Sequence, residues 1–216
     1  MARGNFYTET GYFRSTTLPT FPYTIAGWFY LPASMTSGAV AGVQDEGGSR
    51  DMTGVFATGA GPVVFQAYEL NGGGTGGSVA TATSNLNSLA WNHFCGVFDG
   101  DASRTIYFNG GNSATNTTNN GANQSLYDSI ILGGRNIGGS QYVDGYLAEM
   151  GVWDVALSAD DIASLAKGFS CHLVRQDALL HHIPGVRSDI FPVGDMAATD
   201  PIGTFPHPPI IGALPA

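Results

Sequence analysis

"LAWNHFCGVFDGDASRTIYFNGG", Leu89 to Gly111, reads as two strands joined by a tight turn. In its first half, "HFCGVF" carries apolar residues on both faces of an extended chain, while Ile106 and Phe108 share one face of "RTIYFNG". Asp99-Gly100 opens the turn between them, and Asn109-Gly110 suits the next reversal. A strand apolar on both sides needs cover on both sides, which points to two stacked sheets rather than one sheet with a wet face.

The same habit runs outward from this hairpin. "YTIAGWFYL" (23–31), "PVVFQAYEL" (62–70), "SIILGG" (129–134) and "YLAEMGVW" (146–153) read as strands, separated by turn-rich stretches such as "QDEGGSRD", "NGGGTGG" and "NGGNSATNTTNNGANQ". The chain has 216 residues, of which 31 are glycine, with aromatics at 11%. Glycine serves tight turns and aromatics fill the space between sheets, so an all-β sandwich is expected and disorder is not.

One segment changes habit. "GYLAEMGVWDVALSADDIASLAKGFS", 145–170, begins as a strand and ends as a helix. Ser158 is the expected cap, Asp161 the third helical residue, Leu157 and Ile162 a hydrophobic staple, and Gly168 the stop. Read as an unbroken strand, 145–153 puts Tyr146, Ala148, Met150 and Val152 on one face, and Leu147, Glu149, Gly151 and Trp153 on the other. The helix is expected to cover an open end or edge of the sandwich. Glu149, standing among apolar neighbours, needs a partner: a cation, an arginine such as Arg135, or backbone donors.

Charge narrows the function. The net charge is −9, from 17 acidic and 8 basic residues, and Lys167 is the only lysine. No cluster of basic residues exists to hold phosphate backbones, so neither nucleic acid nor an anionic membrane is an expected partner. The N-terminal stretch "MARGNFYTETGYF" lacks the apolar run of a signal peptide, and the chain reads as made in a cytosol. Cys95 reads as a small core residue of its strand, with a bridge to Cys171 as the alternative.

No catalytic residues are expected, and the chain does not read as an enzyme. Asp45 and Glu46 sit in a turn-rich loop, and Asp144 and Glu149 are five apart, on opposite faces of an extended strand, so neither pair suits glycoside hydrolysis. There is no G-x-S-x-G elbow. His93 and Cys95 share a strand face as packing residues, and adjacent His181-His182 point opposite ways, unlike two ligands of one zinc. The loop residues Asp45, Arg50, Asn136, Gln141 and Tyr142 are candidates for glycan binding; turn geometry and strand-edge packing are the alternative account of them.

From Cys171 the composition shifts, with 7 of the 11 prolines but 4 of the 31 glycines in the last 46 residues. We therefore divide the chain into a sandwich domain, 1–170, and an extended proline-rich segment, 171–216. Phe205, Pro206, His207, Pro208, Pro209, Ile210, Ile211 and Leu214 are its candidate docking residues, with two possible seats: the chain's own sandwich or a neighbouring chain.

"FPYTIAGWFYLP", "LAWNHFCGVFDGDASRTIYFNGG" and "YVDGYLAEMGVWDVALSADDIASLAKGFS" together resemble the concanavalin A-like jelly roll of the laminin G-like type. The resemblance implies a two-sheet antiparallel jelly roll with one short helix. It also implies an acidic residue on the late strand that holds a structural calcium or an ion pair, here Glu149, with Asp144 more distant. No other cofactor is implied. "GFSCHLVRQDALLHHIPGVR" leading to "FPHPPII" is similar to the C-terminal extension of laminin G-like proteins of tailed bacteriophages. That likeness implies a virion structural protein, such as a capsid decoration or tail-associated component assembled in the host cytoplasm. Its partners would be a capsid or other virion protein and a host-surface glycan, and it would form a homo-oligomer.

Overall fold

A computed structural model describes residues 2–5, 12–31, 35, 37–47, 51–59, 62–72, 77–135, 141–143, 145–184, 197–198, 204–205, 208 and 210. In chain order the strands are β1 (Ala2–Asn5), β2 (Phe13–Ser15), β3 (Tyr23–Leu31), β4 (Gly38–Gln44), β5 (Met52–Thr58), β6 (Val64–Leu70), β7 (Gly77–Thr81) and β8 (Ala90–Phe98). They continue with β9 (Arg104–Phe108), β10 (Gly111–Asn116), β11 (Ser129–Leu132), β12 (Gly134–Arg135), β13 (Gln141–Tyr142), β14 (Gly145–Trp153), β15 (Leu179–Ile183), β16 (Ala197–Ala198) and β17 (Thr204–Phe205). The one α-helix among the described residues is α1 (Ala159–Ala166).

Two sheets form, as the doubly apolar strands require. The first runs β10-β9-β8-β3-β14-β1-β17, with β15 also paired to β14; the second runs β16-β2-β11-β4-β5-β6-β7, with the β12–β13 hairpin beside β4. Every pairing is antiparallel except that of β13 with β4. This is a jelly-roll sandwich. Its interior joins Ile25, Phe29, Phe94, Phe98 and Ile106 of the first sheet to Val43, Val55, Phe65, Ala67 and Ile130 of the second, all buried. The Phe65 ring meets Phe94 at 5.2 Å and Phe29 and Phe108 at 6.1 Å, which locks the layers at their centre.

The central hairpin of β8 and β9 closes where expected, with Gly100 at φ 108 and the Asp99 amide donating to the Ser103 carbonyl at 2.9 Å, and the next reversal, between β9 and β10, has Asn109 (φ 49) and Gly110 (φ 77) both left-handed. The helix also begins and ends as written. Ser158 and Asp161 exchange hydrogen bonds in a capping box. At the other end Gly168 (φ 97) turns the chain, donating to the carbonyl of Leu165, while Phe169 donates to that of Ser164.

Its position differs from the expectation of an end or edge cover. Leu157, Ile162 and Leu165 pack with Ala26, Cys95, Val97 and Trp153, so the helix roofs the outer face of the first sheet across β3, β8 and β14. Those strands are apolar on their outer side too, and the helix removes that surface from water; each large side chain so covered contributes about 1.5–3 kcal/mol. The two cysteines are free and buried, both within this layer. No helix is long and apolar enough to cross a membrane among the described residues.

Beside the helix, the outer face of the first sheet carries Trp28, Tyr30, Trp91 and Tyr146. Ile210, like Trp91 and Tyr146, packs against the cluster of Trp28 and Ala148, and Pro208 is buried. Of the extended segment, Pro208 and Ile210 thus lie on the chain's own sandwich, and β17 adds itself to β1 at the sheet edge.

Candidate functional site

Three groups of side chains stand out, and each is built by a different local device. The first surrounds Glu149. β14 does not alternate throughout: its register against β3 shifts between Ala148 and Gly151, and Glu149 is the extra residue, with φ 49. The expected face assignment therefore breaks at the bulge. Tyr146, Ala148, Gly151 and Trp153 face outward, whereas Leu147, Met150 and Val152 face the interior.

The bulge re-aims the carboxylate into a buried cluster. Glu149 Oε2 accepts from the Ser170 hydroxyl at 2.7 Å and the Cys171 amide at 3.1 Å, and lies 3.0 Å from His182 Nε2. The Cys171 thiol donates to the Glu149 carbonyl at 3.0 Å, and burial pushes its pKa well up, so it is a protonated donor and not a thiolate. The partner that Glu149 needs thus comes from side-chain and backbone donors, not from Arg135. The ligand atoms of Glu149, Cys171 and His182 lie within 4.8 Å of one another. A thiol and an imidazole suit a soft metal rather than calcium, and the carboxylate oxygen here is already occupied by donors.

The second group closes one end of the sandwich. Glu69, on the inner face of β6, is buried against Arg104 of β9 and accepts from the amides of Asn120 and Ala122. Asp51 accepts from the amides of Gly72 and Asn123 at 2.8 and 2.6 Å. These carboxylates staple the loop after β10 onto both sheets. Asp45, a candidate for glycan binding, is also buried, and its Oδ1 accepts from the Gly47 amide at 2.7 Å. A carboxylate spent on main-chain donors is a positioned anchor, not a poised acid or base.

The third group lies on the outer face of the second sheet. β6 alternates strictly, with Phe65, Ala67 and Glu69 inward and Gln66, Tyr68 and Leu70 half-buried on the solvent side. Pairing puts Phe56 opposite Gln66, and Val79 opposite Tyr68. The Phe56 and Tyr68 rings meet at 5.1 Å with a 45° tilt, and the Tyr68 ring covers Gly77, where any Cβ would strike it. Gln66 Nε2 donates to the exposed Thr81 hydroxyl at 3.1 Å. The Arg135 guanidinium stands 5.6 Å over the Phe56 ring. An aromatic pair with an amide, a hydroxyl and a guanidinium at its margin is a surface that can hold a small polar molecule with apolar faces.

The structure bears unevenly on the other candidates. β13 places the backbones of Gln141 and Tyr142 at this patch, Gln141 opposite Arg135 and Tyr142 beside Ala39, which packs with Phe56. Their side chains, together with Arg50, Asn136 and Asp144, lie outside the described residues, as do Pro206, His207, Pro209, Ile211, Leu214 and the side chain of Phe205. Sequence reasoning missed Phe56, Tyr68 and Gln66. The phase of β6 could have found the last two, since Gln66 and Tyr68 share a face opposite to Phe65, whereas Phe56 of β5 joins them only through strand pairing.

The sequence pattern of the concanavalin A-like lectin/glucanases superfamily matches residues 7–163. The chain belongs to this superfamily. Among solved structures it is similar to the CBM40 of Ruminococcus gnavus IT-sialidase bound to alpha2,3 sialyllactose, with a TM-score of 0.58 and 18% identity over 77% of this chain and 94% of that one. It is also similar to the native heptameric SAP-like pentraxin of Limulus polyphemus, with a TM-score of 0.55 and 18% identity over 76% and 79% of the two chains. A third similar structure is the enzymatically active domain of bacteriophage CBA120 tailspike protein 2, with a TM-score of 0.59 and 13% identity over 84% of this chain and 29% of that one. No curated protein sequence matches. Identities this low establish the shared superfamily fold and leave the ligand to be argued from the site.

Proposed function

We propose that this chain is a lectin-like carbohydrate-binding module without a hydrolytic centre, and that it holds its glycan on the outer face of the second sheet. The observation that carries the reading is the half-buried Tyr68 ring, backed by the buried Phe56 and turned to solvent beside Gln66 and Thr81. Sugar rings present C–H faces that pack on aromatic rings, and hydroxyl rims that bond to amides and hydroxyls. The sialyllactose bound to a similar fold supports the class of ligand. On the same reading the buried carboxylates Asp45, Asp51, Glu69 and Glu149 serve the scaffold.

A glycan array tests this, run with and without chelator. Wild-type protein should retain at least one glycan class in both conditions, and Tyr68→Ala should lose about tenfold or more in affinity. Retention unaffected by Tyr68→Ala and by Gln66→Ala would place the ligand elsewhere, and no retention by wild type would remove the lectin reading. Polysaccharide cleavage by wild type that disappears in Glu149→Gln or Asp45→Asn would overturn the non-catalytic half.

The finer setting we propose is a bacteriophage particle, where the module is a structural component displayed as a homo-oligomer and anchored to a capsid or other virion protein through the parts of residues 205–214 other than Pro208 and Ile210, which are seated on its own sandwich. The resemblance of the segment after Gly168 to phage extensions supports it, as does the likeness to a tailspike domain. Deleting 206–216 should leave the fold intact while abolishing retention on particles; retention without the segment would refute that role.

A further inference from the structure

Four arginines have described side chains, and three of them sit against a carboxylate. Arg14 meets Glu46 at 2.8 Å, Arg104 meets Glu69, and Arg175 meets Asp177 at 3.0 Å. The Arg135 guanidinium makes no hydrogen bond or ion pair with any described residue, and its Nε is buried without an acceptor. This happens in a chain with 17 acidic residues and 8 basic ones, where a carboxylate partner is the easiest thing to find. Burial lowers the Arg135 pKa, and no carboxylate offsets it. Its one ring contact is the Phe56 face, and a cation–π contact satisfies none of the guanidinium's N–H donors.

Resting on the reading of this face as a glycan site, we infer that Arg135 receives an anionic group on the sugar, so the module selects acidic glycans over neutral ones. A guanidinium offers a fork of N–H donors to carboxylate or sulfate oxygens, and the adjoining rings and Gln66 would hold the sugar body that carries the charge. A net charge of −9 disfavours loose attraction of polyanions, which leaves recognition to this single local contact.

The test compares matched glycans that differ only in charge: a neutral oligosaccharide, the same glycan bearing a sialic or uronic acid, and the same glycan bearing a sulfate. Wild type should bind at least one acidic form about tenfold or more above the neutral one. Arg135→Gln should erase that preference while keeping residual neutral binding, Arg135→Lys should restore part of it, and Tyr68→Ala should weaken every form. The carboxylated and sulfated arms decide which anion is taken. Equal wild-type binding of neutral and acidic forms overturns the inference and leaves the lectin reading standing, and this comparison needs no variant to fold. A preference that survives Arg135→Gln also overturns it. Failure of all three glycans to bind overturns both.

Discussion

His93 is 1% exposed, its ring edge meets Trp28 at 5.3 Å, and its Nδ1 has no hydrogen-bond partner among the described residues. Burial lowers its pKa from 6.5 to about 3, so the folded ring is neutral. Between those values the unfolded chain binds a proton that the folded chain refuses. Stability therefore falls as pH drops from 6.5 toward 3, by up to about 1.4 kcal/mol per pH unit from this residue. Urea denaturation at pH 6.5, 5.5 and 4.5 should show a shallower pH slope for His93→Phe than for wild type; parallel slopes would exclude this origin. Sequence reading placed His93 correctly, as a packing residue on the strand face it shares with Cys95. It could not see that Trp28 lies across from it, because that contact is set by strand register and not by spacing.

At the scale of the element, β14 shows what alternation can and cannot reveal. The strand and the helix after it were legible, since Ser158, Asp161 and Gly168 act through neighbours three to five residues away. The bulge was not, because a left-handed residue in mid-strand is stabilised from elsewhere. The Glu149 amide donates to Pro184 at 3.1 Å, and its carboxylate waits for Ser170, Cys171 and His182. Glu149→Ala strands these donors in a buried space and should cost about 3–5 kcal/mol in urea denaturation. Added EDTA should leave the wild-type melting temperature unchanged if the donors alone hold the carboxylate, whereas a fall restored by calcium or zinc would assign a structural metal to Glu149.

Across the whole molecule, the two-layer plan was readable because strands apolar on both sides have few alternatives, and the turn residues marked where each sheet reverses. The fastening of the layers was hidden. Glu69 stands in the second sheet and Arg104 in the first, so their buried pair crosses the sandwich and, through Asn120 and Ala122, pins the loop after β10. Glu69 looks like a solvent residue in "QAYEL", and its partner is 35 residues away. Arg104→Met should cost about 3–5 kcal/mol by removing one member of a buried pair, measured as a drop in unfolding free energy. The candidate glycan face was half legible for the same reason. Gln141 and Tyr142 were identified from loop composition, whereas Arg135 reads in sequence as a possible partner of Glu149, and Phe56 and Tyr68 join the patch only through cross-strand pairing.

The order of strands has one further consequence. β17 and β1 form one margin of the first sheet, while β10, at the opposite margin, lies against β7 of the second. A tether fastened to residues 2–5 or 204–205 would thus pull on the border remote from Tyr68 and Val79. Leash and grip would be on opposing flanks, so a copy mounted by either segment would extend the proposed glycan face away from whatever carries it.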